Sequence, residues 1–415
     1  MRVLQGKGAE AFVSELQRRG SRVDEVMPVV RGIVEDVRWN GDLALRKYAC
    51  NFDGLRPDQS LHVSEAELAE AAKNASGELK AAMRKAEKNI RQFCEWQKPK
   101  PWARVARGIS LGQIVRPLDS VGCYVPGGRF PLVSTLLMTV IPAQVAGVKN
   151  IRVISPRPSA EALAAAALLG VREFYRIGGA QGIAAFAYGT ETIPPADKIV
   201  GPGNLYVTAA KKLVSFDCAI DMLAGPTEVV IVSDHGHAAF IASDLLAQSE
   251  HDPETLAIFI TTSETLATLV VKAITRNGRK ILPARTNAAT ENRSAVLIAR
   301  SREQAFNWAN RIAPEHITIE KRDLKLVHNA GSIFIGDYSA QAAGDYGSGP
   351  NHVLPTGGAA RFRGGLSVTD FVKLISVQEL SSKGLRCIAP TIVKLAQTEG
   401  LAAHAESIRV RCPGA

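Results

Sequence analysis

Between Val121 and Leu213 the chain alternates short apolar runs with helical stretches built mostly of small residues, and glycine sits at the junctions. Val121-Gly122-Cys123-Tyr124-Val125 leads into Pro126-Gly127-Gly128 and a helix over residues 134–146. Ile151-Arg152-Val153-Ile154 precedes a helix over 160–169, and Phe174-Tyr175-Arg176-Ile177 runs into Gly178-Gly179-Ala180-Gln181-Gly182 and another helix. Lys198-Ile199-Val200 runs into Gly201-Pro202-Gly203-Asn204 and a helix through Leu213. Strands joined by helices run parallel, with helices on both faces of the sheet. The glycine turns then fall at strand carboxyl ends, where doubly wound sheets bind ligands. Glycine lets a backbone approach phosphate, and the helix that follows attracts negative charge. Against a dinucleotide fingerprint, Tyr206 stands where a third glycine would fall after Gly201 and Gly203. Taken singly, each turn is more often a tight strand-to-helix connection, and it is three of them in one domain, two beside the amides Gln181 and Asn204, that point to a nucleotide.

A second series of the same kind begins where residues 221–228 lead into an apolar strand over 229–232. Upstream, three- and four-residue spacing of apolar residues, as in Val30, Ile33, Val34 and Val37, predicts helices over 10–19, 23–52 with a break near Asn40-Gly41, and 65–96. Residues 107–116 look strand-like. From Ser367 the tail, with Val368, Phe371, Val372 and Ile375 apolar, reads as helices that extend past the main body. The fold class expected is α/β, with two doubly wound Rossmann-like domains and helical extensions at both ends. The two α/β series also look like distantly duplicated halves.

Composition narrows the function classes. With 415 residues, 46% hydrophobic and 22% charged, the chain reads as an ordinary globular protein of at least two domains. No apolar run reaches the roughly 18 residues needed to cross a membrane, and residues 1–12 lack a signal-peptide core, so the cytoplasm is expected. Cys50, Cys94, Cys123, Cys218, Cys387 and Cys412 include no CxxC pair, which disfavours a cysteine zinc site and a disulfide framework. The net charge of +10 is spread among acids, and its densest patch, Lys98 to Trp102 with Arg104 and Arg107, is rich in proline. A nucleic-acid partner is therefore not expected.

Three polar clusters carry candidate chemistry. Ala313-Pro314-Glu315-His316 places a carboxylate beside an imidazole, two groups that handle protons near neutral pH. Residues 316–320 alternate polar and apolar, so the same pair also reads as the start of a strand. Gln248-Ser249-Glu250-His251 closes a helix over 238–247, with Gln248 and His251 on one face. That spacing suits a metal, while a histidine at a helix carboxyl end also suits the helix dipole. Residues 344–352 form a glycine-rich loop holding Asp345 and His352, and His404 lies in the tail. A metal hydrolase in which Glu315 activates a bound water stays open at this point.

The ordered string of motifs resembles the histidinol dehydrogenase family over about residues 122–411. It comprises 124–128, 178–181, 201–204, 221–228, 248–251, 313–316, 344–356 and 399–404. The resemblance implies zinc-dependent, NAD-linked, four-electron oxidation of L-histidinol to L-histidine through bound histidinaldehyde, by an intertwined homodimer. It implies metal ligation by Gln248, His251, Asp345 and His404, the last supplied by the partner chain. Glu315 and His316 would be catalytic, His316 as general base and Glu315 as activator of water for the second oxidation. Tyr124, Gln181 and Asn204 would lie at the dinucleotide. Ser134, Thr227, Gln248, His251, His316, Asp345, His352, Glu399 and His404 would surround the substrate. The implied division is 1–19 as an N-terminal helical extension, 20–123 and 229–366 as the main α/β domain, 124–228 as the dinucleotide-binding domain, and 367–415 as a helical tail donated to the partner. Two positions depart from the family pattern. Gln341 stands where an acid is usual, and Arg129-Phe130 follow the first glycine turn in place of small residues. An amide attracts a cationic amine less than a carboxylate does, and an arginine suits an anionic substrate. The alternative is thus a related NAD and zinc dehydrogenase for another small polyol, sulfonated ones included.

Overall fold

The computed structural model describes residues 1–19, 22–127, 132–250, 254–281 and 294–413. Its strands in chain order are β1 (Arg2–Gln5), β2 (Trp102–Ala106), β3 (Ile109–Pro117), β4 (Ser120–Tyr124), β5 (Asn150–Ile154), β6 (Glu173–Tyr175) and β7 (Lys198–Val200). There follow β8 (Ala219–Ile220), β9 (Glu228–Val232), β10 (Leu256–Thr261), β11 (Ala295–Ile298), β12 (His316–Ile319), β13 (Ser332–Ile335) and β14 (Val372–Leu380).

Two sheets are parallel throughout. One has the order β6-β5-β4-β7-β8, and the other β1-β11-β10-β9-β12-β13. Leaving out β1, each has its first strand in the centre, the next two to one side and the last two to the other. This is the doubly wound arrangement, with its switch point between β4 and β7 in one sheet and between β9 and β12 in the other. The central strands are buried along their whole length, as Glu228–Val232 and Leu256–Thr261 show, and their near-continuous apolar sequence follows from helices covering both faces.

The long helix Val23–Asp53 packs on the helices Gly179–Tyr188 and Leu205–Val214. Its kink is at Gly41, whose φ of 49° interrupts the helix where the sequence predicts a break. Gly77–Gln97 packs on the helix Val133–Ala146 and Glu65–Asn74 on Ala160–Leu168. Residues 23–97 therefore cover the five-stranded sheet, and β4 lies within that sheet, although 20–123 were expected to go with 229–366.

Both terminal extensions differ from the helical expectation. Residues 2–5 form β1 at the edge of the six-stranded sheet, and Ala9, Phe12 and Val13 of the next helix enter that sheet's core. The tail opens with β14, paired antiparallel to β3 over nine residues in a separate three-stranded sheet of order β14-β3-β2. The apolar spacing that suggested a helix from residue 368 has two other causes. Val368 and Phe371 enter the core as a short 3₁₀ turn, and the strand then takes over from Val372. Helices Ser382–Thr398 and Ala402–Arg409 follow and pack on each other. Among the described residues no helix is long and apolar enough to cross a membrane.

Candidate active site

The chain leaves the five-stranded sheet at Ile220 and enters the six-stranded sheet at Glu228. The intervening segment runs between the sheets, with the Gly225 N–H donating to Thr356 Oγ1 at 2.6 Å. Glu228 begins β9 and His316 begins β12, neighbouring strands in register at His316 and Val229. The dyad therefore sits at the amino-terminal edge of the six-stranded sheet. The glycine turns lie at the carboxyl-terminal edge of the other sheet.

Local geometry sets the dyad's direction. The helix Arg302–Ile312 ends at Ala313, whose φ of 51° is left-handed and costs a non-glycine residue on the order of 1–2 kcal/mol. Pro314 follows and turns the chain into β12. Glu315 is 7% exposed, and its Oε2 accepts the Thr227 hydroxyl at 2.6 Å and the Glu228 N–H at 3.0 Å. Burial raises the Glu315 pKa, and the His316 charge and these two donors oppose the rise. His316, 2% exposed, has Nδ1 3.1 Å from the Glu228 carbonyl. A carbonyl only accepts, so Nδ1 carries the proton and neutral His316 has its free lone pair on Nε2. Nε2 faces Asp345 Oδ1 at 3.6 Å. Burial presses the imidazole pKa down, but the Glu315 carboxylate and then Asp345 outweigh it and hold it at about 9.

Other expected residues converge here. Gln248, in the last turn of the helix Ala238–Ser249, is buried and donates its Nε2 hydrogen to Thr227 Oγ1. That bond fixes the amide so that its oxygen points elsewhere. Asp345 lies on the helix Gln341–Tyr346, and its carbonyl oxygen accepts from His352 Nδ1 at 2.9 Å. His352 Nε2 is 3.5 Å from the Thr135 hydroxyl on the helix Val133–Ala146, which belongs to the five-stranded side. Ser134 precedes Thr135 on that helix. Buried Gln341 donates to Thr318 Oγ1 at 2.6 Å, two residues beyond His316 on β12.

The structure does not bring every expected residue together. His251 and Arg129-Phe130 lie outside the described residues. Glu399 and His404 are exposed in the tail, and among the described residues no single-chain cluster of metal-ligating side chains forms.

Some donors on the described glycine turns are used within the chain. The Gly178 N–H and the Gln181 side chain both donate to Asp53 Oδ2, at 3.0 and 3.1 Å. The Gly179 N–H donates to the Tyr124 hydroxyl, and the Gly201 N–H to Asp221 Oδ2 at 2.7 Å. Asn204 Oδ1 caps its helix by accepting from the Tyr206 and Val207 N–H groups. Gly201 is needed for packing between turns, since its φ is 113° and a Cβ there would lie 2.1 Å from the Tyr124 carbonyl oxygen.

Arg19, Asp53 and Thr135 were not singled out from sequence, and Glu228 entered only as the end of the 221–228 motif. Only Glu228 left a signal there, as a lone acid opening an otherwise apolar strand.

The fold and the dyad define an α/β protein with a buried acid–base pair between two parallel sheets, and comparison with known proteins supplies the family. The histidinol dehydrogenase family model matches residues 16–412. A histidinol dehydrogenase of Methanothermobacter thermautotrophicus is 46% identical over 415 residues, covering 96% of each chain. One from Methanosarcina barkeri is 45% identical, covering 97% of this chain and 96% of its own. The crystal structure of the enzyme from Elizabethkingia anophelis superposes with a TM-score of 0.93 at 36% identity, covering 99% and 98% of the two chains. The chain belongs to the histidinol dehydrogenase family.

Proposed function

We propose that this protein oxidises L-histidinol to L-histidine in two NAD-linked steps, through an aldehyde that stays bound. The observation that carries this reading is the 3.1 Å approach of His316 Nδ1 to the Glu228 carbonyl, which leaves Nε2 as the ring nitrogen open to a substrate. With Nδ1–H held by the Glu228 carbonyl, Nε2 is the atom that takes the alcohol proton as hydride leaves the carbinol carbon. The hydrated aldehyde needs a second deprotonation at the same place. Glu315, made more basic by burial, activates the water that hydrates it. Thr227 holds both Glu315 and Gln248, so one hydroxyl fixes the spacing between base and substrate-facing amide.

Gln248 and Asp345 fit a zinc site as far as one chain goes. The amide oxygen is turned away from Thr227, and the carboxylate stands at the mouth of the dyad. His251 and the tail's His404, from the partner chain, would complete the set. Zinc bound there would supply positive charge that offsets Asp345, lets the His316 pKa fall towards neutrality, and orients the substrate's imidazole and amine. Tyr124, Gln181 and Asn204 lie at the carboxyl edge of the five-stranded sheet with the glycine turns, and NAD is assigned to that edge. Ser134, His352 and Glu399 are assigned to the substrate.

Turnover measured on L-histidinol and on a sulfonated diol tests the substrate. A kcat/KM higher for histidinol by at least about 10³-fold is expected, because a site built around buried polar partners rejects a substrate that leaves them unpaired. A preference for the anionic diol would overturn the assignment. Chelation should abolish turnover and added zinc restore it, while undiminished turnover after chelation would remove the metal from the mechanism.

A further inference from the structure

Glu228 supplies both main-chain contacts that orient the dyad: its N–H donates to Glu315 Oε2 and its carbonyl oxygen receives His316 Nδ1–H. Its own side chain points away from the reacting groups and is buried. There Oε1 accepts three donors: Arg19 Nε at 3.0 Å, Arg19 Nη2 at 2.8 Å and the Gly357 N–H at 3.0 Å. Glu228 Oε2 is buried without a hydrogen bond among the described residues. Arg19 Nη2 also donates to the Ile312 carbonyl at 3.0 Å, just ahead of Ala313, Pro314 and Glu315. One guanidinium thus grips the start of β9 and the helix end that leads into β12, the two backbone segments that carry the dyad.

We propose that Arg19 and Glu228 are positioning residues that hold the backbone around Glu315 and His316, so that His316 keeps Nε2 free and the two groups keep their spacing. The inference rests on reading Glu315 and His316 as the reacting pair. An arginine suits the task because its planar fork meets two acceptors in fixed directions. Arg19 lies two residues beyond the helix Gly6–Gln17, which packs on the six-stranded sheet. The N-terminal segment therefore serves the site without touching substrate. Small displacements of a reacting group cost up to about 100-fold in rate, which is enough to detect.

The test uses the full zinc-loaded protein with the variants Arg19→Met and Arg19→Lys. Alcohol turnover, NAD affinity, thermal melting and the ¹⁵N signals of labelled histidine are all measured. The expected result for Arg19→Met is a fall in kcat of about 10- to 100-fold. NAD affinity stays within about twofold, and the His316 ring signals move from a pure Nδ1–H form to a mixture of tautomers. Arg19→Lys restores a positive charge beside Glu228 but cannot reach Glu228 and Ile312 together, so it recovers only part of kcat. A folded Arg19→Met variant that keeps parental kcat overturns the proposal. So does full recovery by Arg19→Lys, which would make charge sufficient, or a kcat loss that tracks the melting curve while the His316 tautomer stays pure. If the parent oxidised no alcohol, the proposed function would fail, and the tautomer signal would still decide this inference.

Discussion

At the scale of residues, the dyad separates two roles by what each side chain touches. In the proposed mechanism His316 offers Nε2 to both oxidations, whereas Glu315 is needed only where water is activated. Replacing His316 with Asn should lower both steps by about 10²- to 10⁴-fold, and Glu315→Gln should slow histidinaldehyde oxidation while sparing the first hydride transfer. Single-turnover traces with alcohol and with aldehyde check this, and equal aldehyde rates for Glu315→Gln and parent would contradict the division. In metal-free protein a His316 NMR titration should give a value near the 9 set by Glu315 and Asp345, and added zinc should lower it. The folded value lies above the unfolded 6.5, so His316 stabilises the metal-free fold fully below pH 6.5 and ceases to do so as pH rises through 9. A metal-free midpoint below 6.5 would contradict the geometry. The adjacency of Glu315 and His316 was legible because they follow one another in sequence after a proline. Arg19 was not, since its partners lie 209 and 293 residues away and nothing local marks the pairing.

At the scale of elements, the strand–glycine–helix alternation identified both parallel sheets, since fully buried parallel strands must be apolar throughout. It did not reveal what the glycines are for. Gly201 lets its turn lie against Tyr124, and a buried ion pair pins that turn. Lys211 Nζ donates to the Gly201 carbonyl and to Asp221 Oδ1, both at 2.5 Å, while Asp221 Oδ2 accepts the Gly201 N–H. Lys211→Met should therefore destabilise the protein by about 3–5 kcal/mol, since it leaves Asp221 buried and unpaired. Urea unfolding measures this, and a loss below about 1 kcal/mol would show that the pair does not hold the turn. β1 and β14 escaped the sequence reading for different reasons. β1 is a short edge strand whose partner β11 lies nearly 300 residues on, and β14 follows apolar positions that fit a helical period as well as a strand.

At the scale of the whole molecule, the site lies where the carboxyl edge of one sheet meets the amino edge of the other, and among the described residues of one chain the proposed metal ligands do not cluster. His404 and Glu399 sit exposed in a tail whose neighbourhood also exposes apolar Leu374, Ile375, Val377, Leu395 and Leu401. The proposed shared site needs a second copy of the chain to cover that surface and to receive His404. Co-expressed His404→Ala and His251→Ala variants should then form hybrid dimers with one intact site, regaining up to about half of parental activity per dimer. Hybrid dimers with no activity above either variant would show that His404 is not given across the interface. The central claim is that a single base, held in one tautomer, serves two successive oxidations at one site. The yield of NADH per molecule of histidinol consumed tests it most directly. The account predicts a ratio of about two with no aldehyde released, as expected if one substrate molecule is oxidised twice before it leaves the site. A ratio of about one, with free histidinaldehyde in solution, would contradict it.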